Sequence, residues 1–203
     1  AESVLSGAAA IDGVDTVDAL EQLASSSLVV ADEHFDEIRF RMLETIREFA
    51  VSLVPAEPGS SLRAAHAEYF RSFVELADEQ LAGHDQHVWL AKVAADLDNV
   101  RAAIEWSKSS GNVDLGLKVA ASMGRFWLVR GFVAEGIAAL RDALSRAPSG
   151  LAGDRAKALN WAGNLAIMAG DVEGGHAAYR EAWPLADDHT RRIHHDLEIG
   201  KLL

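Results

Sequence analysis

Two stretches, GRFWLVRGFVAEGIAALRDAL from Gly124 and GNLAIMAGDVEGGHAAYREAW from Gly163, superpose without gaps at an offset of 39 residues. Gly124 matches Gly163, Gly131 matches Gly170, Gly136 matches Gly175, Ala143 matches Ala182, and Leu140 matches Tyr179. A repeated unit with helical period and glycine breaks cannot bury its apolar face alone, and stacking copies is how such units find a core. Small residues let two antiparallel helices approach closely, and the large residue at 140 or 179 fills the space beside them. The pattern predicts two helical hairpins stacked as a solenoid.

The chain around the repeat is helical in the same sense. Apolar positions at Leu62, Ala65, Tyr69, Phe73 and Leu76 predict a helix over 60–82. Trp89, Val93, Leu97, Val100 and Ile104 predict a single helix over 85–109. Four more are expected at about 113–130, 133–147, 153–169 and 172–186, with Gly131, PSGLAGD and Gly170 between them. A last segment begins near His189.

Before all of these stands a different rhythm. VDTVDALEQLASSSLVVADE opens with Asp15 or Thr16 as a helix cap, and Val17, Leu20 and Leu23 supply a buried stripe that ends at Ser25–Ser27. SLVV begins a strand, DEHFDE is a turn, and IRFRM returns as a second strand, with Ile38, Phe40 and Met42 alternating with arginines. From Leu43 the period changes to that of a helix, through Ile46, Phe49 and Leu53. Helix, two-stranded ribbon and closing helix in that order are the skeleton of a winged-helix domain. VPAEPGSS, with two of the four prolines, is the clearest linker. The expected organisation is therefore a winged-helix-like domain at 1–58, a linking helical hairpin at 59–111 and repeats at 112–203. The fold class is mainly α, a small winged helix followed by an α-α superhelix.

Charge decides what the first domain can touch. The chain carries a net charge of −12, and up to Pro58 its 12 acidic residues face only Arg39, Arg41 and Arg47, or −9. The remainder holds 19 acidic and 16 basic residues, or −3. Affinity for nucleic acid rests on cations that neutralise phosphates. The helix TVDALEQLAS brings Asp18 and Glu21 with a single Gln22, where a reading helix brings Arg, Lys, Asn or Gln. DNA contact from this segment is not expected, and Arg39 and Arg41 are the cations that would have to make it. No apolar run nears the roughly 20 residues that cross a bilayer, so no membrane association is expected. VLSGAAAI has no basic flank before it, and no signal peptide is expected either. Ala at position 1 fits a piece of a longer chain.

The repeats resemble tetratricopeptide repeats. With copies starting at Leu117 and Ala156, Gly124 and Gly163 take the small place of the first helix, and Trp127 the aromatic place. Gly136 and Gly175 open the second helix, Ala143 and Ala182 supply its later alanine, and Pro148 ends it. Ala166 and Asp187 depart from the pattern in the second copy. ALEQLASSSLVV followed by RFRMLETIREFA is similar to a junction in large bacterial regulators of the STAND ATPase class, AfsR-like and LuxR-type proteins among them. HAEYFRSFVELADEQL and WLAKVAADLDNVRAAIEWS resemble the helices that follow it there. The resemblance implies a winged helix coupling an ATPase to repeats, in a cytoplasmic transcription regulator. It implies a sensing and autoinhibitory relay segment without catalysis or cofactor of its own. The Gly-rich phosphate loop that ATP needs ends in Gly-Lys-Ser/Thr, and Gly200–Lys201 is followed by leucine. The alternatives are a free-standing repeat adaptor that scaffolds two proteins and, third, a winged helix that binds DNA directly.

Candidate sites separate on the same grounds. His84, Asp85 and His87, and His194, His195 and Asp196, do not converge as a metal set. Ser25–Ser27 lack a patterned base. Glu44 and Glu48 around Arg47 suit a surface charge cluster. Tetratricopeptide arrays present their first helices on a concave face. Carried over position by position, this gives Lys118, Ala121, Arg125, Leu128 and Val129, then Lys157, Asn160, Asn164, Ile167 and Met168. Cationic, amide and apolar groups in one groove suit a peptide with an acidic component. A protein or peptide, a small-molecule inducer and the chain's own ATPase are the expected partners. Trp127, Trp161 and Trp183 are expected in the core.

Overall fold

The computed structural model describes residues 16–34, 37–53, 61–148 and 150–185. Its contacts divide the chain into two compact units, Ala1–His66 and Ala67–Leu203. Asp15, the linker residues 54–60, Asp187, the segment from His189, the cluster His194, His195 and Asp196, and the Gly200–Lys201 pair lie outside the described residues.

In the first unit α1 runs over Thr16–Ser25, β1 over Val30–His34, β2 over Glu37–Arg41 and α2 over Glu44–Leu53. The serine cluster ends α1 by backbone geometry. Ser27 takes a positive φ of 59°, Ser27 N–H donates to Ala24 O at 3.0 Å, and Leu28 N–H donates to Leu23 O at 2.9 Å. Those two bonds are a Schellman cap. The strands are antiparallel, with Val30 opposite Arg41 and Asp32 opposite Arg39. Arg41 Nε donates to Asp32 Oδ2 at 2.6 Å, so a carboxylate on the paired strand holds that cation. Arg47 is likewise paired with Glu44. The stripe predicted to be buried is corrected in part: Val17 is exposed and Leu20 and Leu23 are half-buried, while Leu43, Phe49 and Leu53 are also exposed. Short elements offer little surface on which to bury an apolar face.

The second unit begins within α3, Ser61–Gln80, and continues through α4 (Gln86–Ala95), α5 (Leu97–Ser110), α6 (Val113–Arg130), α7 (Val133–Arg146), α8 (Ala152–Met168) and α9 (Val172–Ala182). A 3₁₀ turn over Trp183–Leu185 follows. The single helix expected over 85–109 is two. Asp96 breaks it at φ −106°, ψ 11°, and its N–H donates to Val93 O and Lys92 O. Its carboxylate accepts from Asn99 Nδ2 at 3.0 Å, a local bond that competes with helix continuation. The break lets Val93 and then Leu97 and Val100 turn into one core.

The hairpin ends fall where the glycines stand. Gly131 and Gly170 follow α6 and α8 at φ 78° and 88°, a region that costs residues with a Cβ. Asn112 and Asp171 cap α6 and α9 through side-chain oxygens. α6 is the central helix: Leu117, Met123, Phe126 and Trp127 are buried along it. They meet Phe70 and Val74 from α3, Leu81 just after it, Val93, Val100, Leu140 and Leu165 in one core cluster. Each such side chain contributes about 1.5–3 kcal/mol by leaving water. α8 packs on both α6 and α7 as well as on α9, the stacked order expected of consecutive hairpins. Tyr179 fills the space over Gly163. Over Gly124, however, the large residue is Trp161 of the next hairpin. Between α5 and α7, Arg101 forks onto Glu135 at 2.8 and 2.7 Å, a bidentate pair that locks one layer to the next.

Candidate ligand face of the repeats

The offset of 39 residues puts Lys118 with Lys157, Arg125 with Asn164, Leu128 with Ile167 and Val129 with Met168 at equivalent places on α6 and α8. Both are first helices of their hairpins, and they pack side by side. The predicted residues are thus on neighbouring helices, but their surroundings differ sharply.

The early part of the face is occupied by the chain itself. Lys157 Nζ lies 2.7 Å from Asp78 Oδ2 on α3 and donates to Ser122 Oγ of α6 at 3.1 Å. One ammonium therefore joins α3, α6 and α8. Beneath it Ala121 is 1% exposed and Ser122 3%. Lys118 is also committed, at 2.8 Å from Asp114 Oδ2 one turn earlier. That hydrogen bond raises the Lys118 pKa above the ordinary lysine value, with Asp154 adding to it and burial and Arg71 of α3 working against it. Asp78 had no signal in the sequence, since only the packing of α3 brings it to Lys157.

The later part is open and mixed. The Arg125 guanidinium lies over the Trp161 ring, 5.4 Å from its centroid. Arg125 Nε is sealed from solvent without a partner, and its other nitrogens make no hydrogen bond or ion pair among the described residues. Asn164 Oδ1 accepts from the Tyr179 hydroxyl at 2.9 Å. Asn160 is half-buried. Leu128 packs partly against the core, Ile167 lies under Gly175, and Val129 is exposed. Met168, 61% exposed, projects beyond them. Trp127 belongs to the core and Trp161 is half-buried, whereas Trp183, expected in the core, is 49% exposed.

On the other side of α8 a cleft of about 380 Å³ lies between α7 and α9, floored by Leu159 and Ala162. Arg141 and Arg155 both line it, and Arg155 is already in use. Arg155 donates to the carbonyls of Leu144 and Ala147 at the end of α7 and pairs with Glu181 of α9 at 3.0 Å. That geometry caps a helix and ties two hairpins together. The described residues include no cluster of metal-ligating side chains and no helix long and apolar enough to cross a membrane.

Over 127 residues, 63% of this chain, the sequence is 30% identical to a Mycobacterium tuberculosis (strain ATCC 25618 / H37Rv) protein named "Putative HTH-type transcriptional regulator Rv0890c". A Mycobacterium bovis protein named "Putative HTH-type transcriptional regulator Mb0914c" matches at the same identity and extent. The match spans 14% of the length of each relative. No protein-family profile and no solved structure matches the chain.

Proposed function

We propose that this chain is a non-catalytic sensing and relay segment of a bacterial, cytoplasmic transcription regulator of the STAND type. The mainly helical fold and the similarity to proteins named as transcriptional regulators support the regulator part of this reading. The observation that carries the sensing part is the later half of the first-helix face, where half-buried Arg125, Asn164, Leu128 and Ile167 stand beside the exposed apolar side chains of Val129 and Met168. A protein, peptide or small-molecule signal binds there, and the winged unit passes the event to an ATPase domain elsewhere in the regulator. The segment holds the regulator off until the signal arrives, and it needs no cofactor of its own.

The acidic first unit argues against a DNA-reading role, because Arg41 is neutralised by Asp32 and α1 presents carboxylates. Fluorescence anisotropy of the chain with duplex DNA at low and moderate salt tests this directly. No binding at low salt is expected. Tight binding that falls steeply with salt would move the function to DNA contact. Peptides selected on the chain by display should lose binding on Met168→Glu and keep it on His176→Glu, an exposed site on α9. The opposite order would remove the sensing face from the later half of α6 and α8.

A further inference from the structure

The seam between second helices is closed in one layer of the array and open in the next. Between α5 and α7 the Arg101–Glu135 fork closes it. The repeat offset of 39 puts Gly174 of α9 in the place of Glu135. The buried positions Val100 and Ser107 of α5 answer Gly136 and Ala143 of α7, which puts Ile137 in the place of Arg101. Neither partner of the fork recurs, and the cleft of about 380 Å³ between α7 and α9 is what remains. The α9 cap keeps residue 174 small, since a Cβ there would stand 2.2 Å from Asp171 Oδ2. A cleft of this volume suits a small organic molecule.

The charged groups that line the cleft are not spent equally. Arg155 and Glu181 answer each other. Arg141, one turn along α7 from Ile137, is exposed, and its guanidinium meets no carboxylate among the described residues. Asp171 gives Oδ1 to the Gly174 N–H that it caps, and its Oδ2 accepts from no group among the described residues. A cation and an anion, each without a counterion, thus share a cleft floored by apolar Leu159 and Ala162. A ligand that satisfies both carries both charges and an apolar body. We propose that the cleft binds a free α-amino acid with an apolar side chain. Its carboxylate takes the Arg141 fork, its ammonium takes Asp171, and its side chain lies on Leu159 and Ala162. Bound in this way it joins α7 to α9 as Arg101 and Glu135 join α5 to α7. The site is separate from the first-helix face and uses none of that face's residues.

The test titrates the whole chain, labelled with ¹⁵N, with three probes. These are L-leucine, 4-methylpentanoate, which lacks the ammonium, and 3-methylbutylamine, which lacks the carboxylate. L-Leucine should shift the Gly174 and Ala178 amides saturably, and each truncated probe should bind at least about tenfold more weakly. Arg141→Gln should bring leucine down to the affinity of the amine and leave the amine unchanged. Asp171→Asn should bring leucine down to the affinity of the acid, while asparagine still caps α9 and keeps the helix. Acid that binds as tightly as leucine would overturn the proposal in favour of an anion site. Amine that binds as tightly would overturn it in favour of a cation site. Leucine binding at full affinity in Arg141→Gln would overturn it too, as would no shift at either amide with any probe. None of these results bears on the first-helix face.

Discussion

Gly124→Ala sets local preference against tertiary packing, and the two give opposite signs. Inside a helix, alanine is better than glycine by about 1 kcal/mol. From the sequence of α6 alone the substitution should stabilise. In the structure the new Cβ would stand 2.0 Å from Trp161 Cγ and 2.4 Å from its Cδ1 and Cδ2. Ordinary carbon contact is about 3.5–4.0 Å, so something must move by more than an ångström. The atoms met are at the root of the indole, close to the α8 backbone, and a rotation of the ring tip does not clear them. Either α8 shifts or Trp161 leaves its place under Arg125. Overpacking of this kind costs about 1–3 kcal/mol, and losing the stacked cation adds about 0.5–1 kcal/mol. After the propensity gain the expected net loss is about 0.5–3 kcal/mol. Urea unfolding followed by circular dichroism at 222 nm reads it as a lower midpoint. Gly153→Ala, where nothing lies within 4 Å of the added Cβ, is the matched control and should be neutral or stabilising. A Gly124→Ala chain that unfolds at higher urea than the parent would refute the close approach of α6 and α8.

Leu165→Ala removes a fully buried side chain that also covers Gly136, and should cost about 2–5 kcal/mol in the same unfolding assay. A double-mutant cycle with Asp78→Ala and Lys157→Ala should show a coupling of about 1 kcal/mol, measured by urea unfolding. Additive effects would mean that α3 does not hold α8 through this pair. The Lys118–Asp114 pair has a definite sign with pH. Because the folded pKa is raised, its contribution is fully present below the unfolded lysine value of about 10.4 and is lost as pH rises through the folded one. Lys118→Met should therefore lose less stability than the parent between about pH 10 and the raised folded value, and an identical pH profile would count against the pair.

Much of the second unit is legible from residues close in sequence. Gly131 and Gly170 stop α6 and α8 because a left-handed residue is needed there, and Asn112 and Asp171 start helices because their side chains reach the free N–H groups. The break at Asp96 was not legible, since Val93, Leu97 and Val100 fit one continuous apolar stripe as well as two short ones. The candidate face was legible only as a set of equivalent positions. Nothing within α6 or α8 distinguishes Arg125 from Lys157.

By itself, then, the sequence determined the elements of the repeats, their hairpin pairing and the acidity of the first unit, because period, caps and charge are local properties. Tertiary structure alone decided that Asp78 closes the early half of the face, that Trp161 takes the space over Gly124 and that Trp183 stays half exposed. These depend on which distant surface arrives, and a residue carries no mark of a partner 79 positions away.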